Sequence, residues 1–288
     1  MPAHMNRFLL LAALFLFPVA LSAQSGWVKK QGQAYVQAGY QFFQGDQFYN
    51  INGDRVTTSN FRQHTLYLYG EYGITDRLDV LVSMPLYRLN SFETTDWAHG
   101  IGDLRLELKY GILTGKVPVS ISIAPEIPTA PGDNFATNRE LAFEMINLPT
   151  GDGEWNVWST VAASHSFHPL PLYVQGFGAY NFRTGYNDSQ FRDQIRYGVE
   201  VGYQPGPKWW IMARGNALVT LGEQTNAFAD FIRSDGTNFM AAGLAVNYSV
   251  TDQWDIVLQA QTFFDGWHAR TNLYSAPLVG LGVAWSLD

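Results

Sequence analysis

Tyr72-Gly73-Ile74-Thr75-Asp76-Arg77-Leu78-Asp79-Val80, YGITDRLDV, reads as two strands joined by a tight turn. Upstream, Leu66, Leu68, Gly70, Tyr72 and Ile74 share one phase of a two-residue period; downstream, so do Leu78, Val80, Val82, Met84 and Leu86. Successive side chains of a strand point to opposite faces, so each arm carries one oily face and one polar face. Thr75 and Asp76 suit the turn because their short polar side chains satisfy backbone groups there. The same order of residue types returns at Tyr248–Ile256, YSVTDQWDI, again between alternating segments. A chain built from such hairpins must put its oily faces somewhere.

The alternation runs through most of the sequence. It is cleanest at 103–112, where Leu104, Leu106, Leu108, Tyr110 and Ile112 lie opposite Asp103, Arg105, Glu107 and Lys109. A helix would scatter those charges all round, so a strand is the better template. The count is about twelve strands of roughly ten residues. Their connections alternate in length. Thr75-Asp76-Arg77, Thr114-Gly115-Lys116, His168-Pro169, 204–207 and Thr251-Asp252-Gln253 are short turns. The stretches 43–61, 88–100, 130–153, 183–192, 220–237 and 264–276 read as long connections. With an even strand count, both termini fall at the short-turn end.

The N-terminus stands apart. Arg7, an apolar run of about thirteen residues and Leu21-Ser22-Ala23 have the layout of a secretory signal, with cleavage expected after Ala23. Residues 24–288 are then the mature domain, and no other run has the ~18 apolar residues of a membrane helix. The chain has no cysteine, so disulfides are excluded. A net charge of −7 with no basic run argues against nucleic acid as a partner.

Alternation alone fits a soluble sandwich, with the oily face inside, or a transmembrane barrel, with that face on lipid. Three features select the all-β, antiparallel, up-and-down transmembrane barrel. Ten tilted residues cover roughly 25 Å, the height of an outer-membrane apolar band. Short turns at one end and long loops at the other are the usual arrangement of such barrels. Finally, Tyr72, Tyr110, Tyr203, Trp209, Tyr248 and Trp254 sit on the oily phase beside the short turns, where an interfacial girdle would lie. Outer-membrane lipid is therefore the expected surrounding, and the recurring hairpin is expected on the periplasmic side.

Two stretches, Gly100–Tyr110 (GIGDLRLELKY) and Leu148–Val157 (LPTGDGEWNV), resemble the outer-membrane family associated with the meta-pathway of phenol degradation. That resemblance implies a barrel that moves hydrophobic or aromatic compounds, distantly similar to the long-chain fatty-acid transporters. This chain departs from the pattern by an insert, Phe135–Asn147. It also lacks the long N-terminal segment that plugs the fatty-acid transporters, so a hatch mechanism does not carry over.

On the inward phase stand Glu71, Asp79, Asp103, Arg105, Glu107, Lys109, Glu126, Arg196, Glu200, Arg214 and Asp255, of both signs. They are either ion pairs bracing the lumen wall or a charge-lined path for solutes. Tyr67, Tyr69, Trp158 and Trp210 share that phase and either fill the barrel or line a route for a small hydrophobic solute. In the insert, Thr137-Asn138-Arg139-Glu140 fits a capping box, followed by Leu141, Glu144, Met145 and Leu148 at helical spacing. A short helix is expected there, over the mouth or against its neighbours. No cofactor is expected. His64, His99, His165, His168 and His268 have no metal-ligand spacing, and no Ser/His pair supports a lipase. A closed structural or adhesive barrel is the alternative to a channel. The oligomeric state is not legible.

Overall fold

The computed structural model describes residues 24–141, 143–187, 189–222 and 235–287. The expected signal segment, 1–23, lies outside the described residues. Twelve strands form one closed antiparallel barrel. They are β1 (Ala34–Tyr49), β2 (Arg55–Thr75), β3 (Leu78–Phe92), β4 (Leu104–Leu113), β5 (Val119–Ile127), β6 (Asn156–Ser166), β7 (Leu172–Arg183), β8 (Gln194–Gly206), β9 (Trp209–Thr220), β10 (Phe239–Ser249), β11 (Trp254–Phe264) and β12 (Leu278–Leu287). Each strand pairs with its sequence neighbours. β1 closes the ring by pairing with β12 as well, from Ala34↔Leu287 to Phe43↔Leu278. Closure leaves no sheet edge, so the backbone groups within the band are paired without water.

The oily phase faces outward. Leu108 is 47% exposed and Leu281 50%, whereas Lys109 on the other phase is 1% exposed. An aqueous protein would not leave so continuous an apolar belt bare, so this surface faces lipid. Tyr72, Tyr110, Tyr203, Trp209 and Trp254 are exposed at the short-turn end, and Tyr248 packs on Trp209 with ring centroids 4.6 Å apart. Tyr40, Tyr87, Trp155 and Phe182 are exposed towards the other end, forming a second aromatic ring. Leu244→Arg would put a guanidinium into the belt, between Ala213 and Ala260 and half-way along β10 from Tyr248 to Met240. It should cost about 2–4 kcal/mol of folding free energy, the penalty for a guanidinium at mid-depth on the lipid face, measurable by urea titration in lipid vesicles.

Two expectations change. The stretches 43–61 and 88–100 are not simple loops. β1 continues to Tyr49, β2 starts at Arg55, β3 runs to Phe92, and Ala98–Gly100 pairs with β3. Beyond the belt the outer face no longer needs to be apolar, so the backbone ladder continues without regular alternation while the inner face buries Phe43, Phe61 and Phe92. The insert is also not helical. Phe135–Thr137 and Met145–Asn147 form a small hairpin, Phe135↔Asn147 to Thr137↔Met145. A helix this short does not repay its nucleation cost in water. Asn138 instead makes a local turn: its Oδ1 accepts from the Glu140 amide at 3.0 Å, and its Nδ2 donates to Glu144 Oε2 at 2.8 Å.

Candidate functional site: the barrel lumen

The lumen is layered. At the short-turn end Lys109 Nζ lies 2.7 Å from Glu71 Oε1 and 3.3 Å from Asp79 Oδ2. Alternation aims all three inward from β4, β2 and β3. Beside them Tyr35, Tyr69, Leu81, Val257 and Ala284 form an apolar patch. Tyr35 donates to Gln37 Oε1 at 2.8 Å, and Gln37 donates to Tyr67 at 2.6 Å.

A strap of chain crosses this end. Residues 24–33 enter beside the β2–β3 turn, where the Gly32 amide donates to Gly73 O and the Gly73 amide to Gln33 O. The Lys29 amide donates to both Asp79 oxygens, at 3.0 and 2.8 Å. The Gly26 amide donates to Ser164 Oγ at 2.8 Å, and Ser120 Oγ donates to Ser25 O at 2.8 Å. Gly26 lies so close to the Pro118 carbonyl that any Cβ there would collide with it. Trp27 meets Tyr173 edge-to-face at 5.5 Å. The strap therefore starts at β1, follows the wall past β3, β5 and β6, and reaches β7, half-way round the ring. These ten residues occupy the mouth at the short-turn end.

At the other end Phe43, Phe61, Ala98, Ala136, Leu148 and Tyr274 form a buried cluster, with Phe48, Phe92 and Ile146 against it. Ala136, Ile146 and Leu148 come from the insert or its edge, so the hairpin folds inward over the mouth. Its base is held by the two family-like stretches, which meet each other. Asp103 accepts from the Ala130 amide at 3.1 Å and the Asp152 amide at 2.6 Å. A Cβ on Gly100 would lie 2.7 Å from Thr150 Oγ1, and one on Gly151 would strike the Asp103 carboxylate. Arg88 donates to Thr150 O at 2.8 Å, and Asn90 to Pro149 O at 2.7 Å. Asp103→Ala should therefore leave the buried Ala130 amide and the half-buried Asp152 amide without their acceptor, costing about 1–3 kcal/mol locally. Limited proteolysis should then cut within 130–153 faster than in the parent, while the barrel core stays resistant.

Between these ends lie two cavities. One, of about 220 Å³, is bordered by Gln41, Gln175, Phe177, Arg196, Glu200 and Arg214. The other, of about 250 Å³, is bordered by Tyr67, Tyr69, Leu81, Arg105, Glu107 and Arg196. Gln24, from the strap, borders both. Arg214 pairs with Glu200, and Arg105 pairs with Glu107 at 3.1 Å while stacking over Trp158 at 5.6 Å. Trp210 packs on Tyr173 at 5.4 Å. Glu126 joins Asp103 and Asp152, with carboxylate oxygens within 4.8 Å of one another. Both Asp103 oxygens already hold the loop, and Arg88 and Arg105 supply countercharge, so the geometry is that of a brace. Asp255 stands on the inner phase of β11, opposite Ala284.

Sequence reasoning missed Gln24, Arg88, Gln175 and Gln259 at these cavities. The phase of β7 and β11 could have found the two glutamines. Arg88 was assigned to a loop, and Gln24 belongs to no alternating pattern.

Solved structures share this architecture. An outer membrane channel from Pseudomonas putida F1 matches with a TM-score of 0.66 at 16% identity, over 93% of this chain and 100% of that one. This is the fold of an outer-membrane barrel. The translocator domain of the autotransporter NalP from Neisseria meningitidis matches at 0.52 and 12% identity, over 89% of each chain. A mutant of the TodX monoaromatic hydrocarbon channel matches at 0.50 and 9% identity, over 90% of this chain and 91% of that one. No protein-family model matches the chain, and neither does any curated protein.

Proposed function

We propose that this chain is an outer-membrane channel for small hydrophobic or aromatic compounds. Residues 1–23 serve as its export signal, cleaved after Ala23, and the short-turn end faces the periplasm. The observation that carries this reading is the pair of cavities inside a closed, lipid-facing barrel, walled partly by Tyr67, Tyr69, Leu81 and Phe177. A barrel serving only as a scaffold has no need of internal space. Likeness to a barrel described as a monoaromatic hydrocarbon channel supports the solute class.

The strap at one mouth and the apolar cap at the other favour a second reading, a structural barrel whose lumen stays shut. Planar-bilayer recording, together with uptake of an aromatic solute by cells expressing the protein, separates the two. Discrete current steps and enhanced uptake fit a channel. Silence in both assays, from protein shown to be folded, leaves the scaffold.

A further inference from the structure

We propose that the lumen holds a binding site for small amphipathic carboxylates, centred on Arg196. This rests on the channel reading and narrows its solute class. Arg196 borders both cavities. Its Nε is buried without a hydrogen-bond partner, and its Nη2 reaches Asn216 Oδ1 at 3.5 Å, the outer limit of a hydrogen bond. Among the described residues, no carboxylate lies within ion-pair distance of it.

The neighbouring cations are answered. Arg105 holds Glu107, and Arg214 holds Glu200. Glu200 is further committed, accepting from Tyr173 at 2.6 Å and Gln175 at 2.8 Å. Arg88, whose Nε is likewise without a hydrogen-bond partner, donates to Thr150 O and takes its countercharge from the acidic group of Asp103, Glu126 and Asp152. Arg196 is thus a guanidinium in a confined cleft with no fixed counter-charge. Such a group is costly unless an anion reaches it. A guanidinium fork matches a carboxylate better than it matches a neutral polar group.

The surrounding walls define the rest of the ligand. Phe177 on one side, and Tyr67, Tyr69, Leu81 and Pro85 on the other, present apolar surface beside the charge. A neutral arene would leave Arg196 unanswered, and an inorganic anion would leave those walls unused. The cavities fall below the ~300 Å³ at which drug-sized sites begin, so they suit one ring or a short chain.

Calorimetric titration of the detergent-purified protein with benzoate, benzyl alcohol and chloride tests this. Benzoate should bind roughly tenfold more tightly than benzyl alcohol, equivalent to ~1.4 kcal/mol, and Arg196→Gln should remove the preference. Arg196→Gln deletes an uncompensated charge, so it should keep heat-modifiable migration on gels, which verifies folding. Arg196→Lys should retain part of the preference. Equal binding of benzoate and benzyl alcohol, unchanged benzoate binding in Arg196→Gln, or displacement of benzoate by chloride at similar concentration would each overturn the site. Bilayer currents keep the two readings apart. Benzoate binding without any current defeats the channel alone, and current without benzoate preference defeats the carboxylate site alone.

Discussion

A protein whose export signal is joined directly to Gly32 should show single-channel conductance several-fold above that of the full mature chain. The missing residues, 24–31, include every group that bridges from β1 to the β7 wall: the Lys29 amide on Asp79, the Gly26 amide on Ser164 and Trp27 on Tyr173. Gln24, which borders both cavities, goes with them. Conductance is set by the narrowest part of the path, and at the short-turn end that part is the strap. The strap adds no strand, so the shortened protein should still close into a barrel and migrate as folded. Trp27→Ala is the milder version and should give flickering between the parent and the larger level. Parent-like conductance in the shortened protein would place the limiting constriction elsewhere, at the apolar cap over the opposite mouth.

Lys109→Met should be the most damaging single change inside the wall. Glu71, Asp79 and Lys109 have side chains 4%, 0% and 2% exposed, so water screens them little. Removing the ammonium leaves two carboxylates facing each other in a closed pocket. Breaking a buried pair in this way costs about 3–5 kcal/mol. The midpoint of urea unfolding in vesicles, followed by tryptophan fluorescence, should fall accordingly. Adding Glu71→Gln to Lys109→Met should recover part of the loss. Asp79 would then be the sole carboxylate, with its oxygens still accepting from the Lys29 amide. A loss under about 1 kcal/mol, the range of exposed pairs, would mean that solvent reaches the triad.

The barrel was legible because lipid and lumen impose opposite demands on alternate residues. Leu104 to Ile112 could not hide their pattern, and the aromatic residues beside the short turns marked the membrane boundary. Where that demand ends, legibility ends with it. The arms of β1, β2 and β3 beyond the belt lose the oily/polar alternation, although Phe43, Phe61 and Phe92 pack between them, so 43–61 and 88–100 read as loops. The insert carried helix-start residues, but Asn138 closes a turn between two short strands instead. The strap was least visible. It is held mainly through its own amides and carbonyls, donated to or taken from Asp79, Ser164 and Ser120, and backbone groups leave no trace in residue type. The alternation puts Asp103 on the inward phase, but which amides it would hold, those of Ala130 and Asp152, depends on a loop that carries no periodic signal.

Residues 24–29 lie inside the ring. With the cleavage proposed after Ala23, the amino terminus so created is enclosed by the wall, out of reach of antibodies, resins and peptidases. A purification handle placed directly before Gln24 would have to be swallowed by the barrel or would hold its seam ajar. Handles belong instead after Leu287 or within an outer loop.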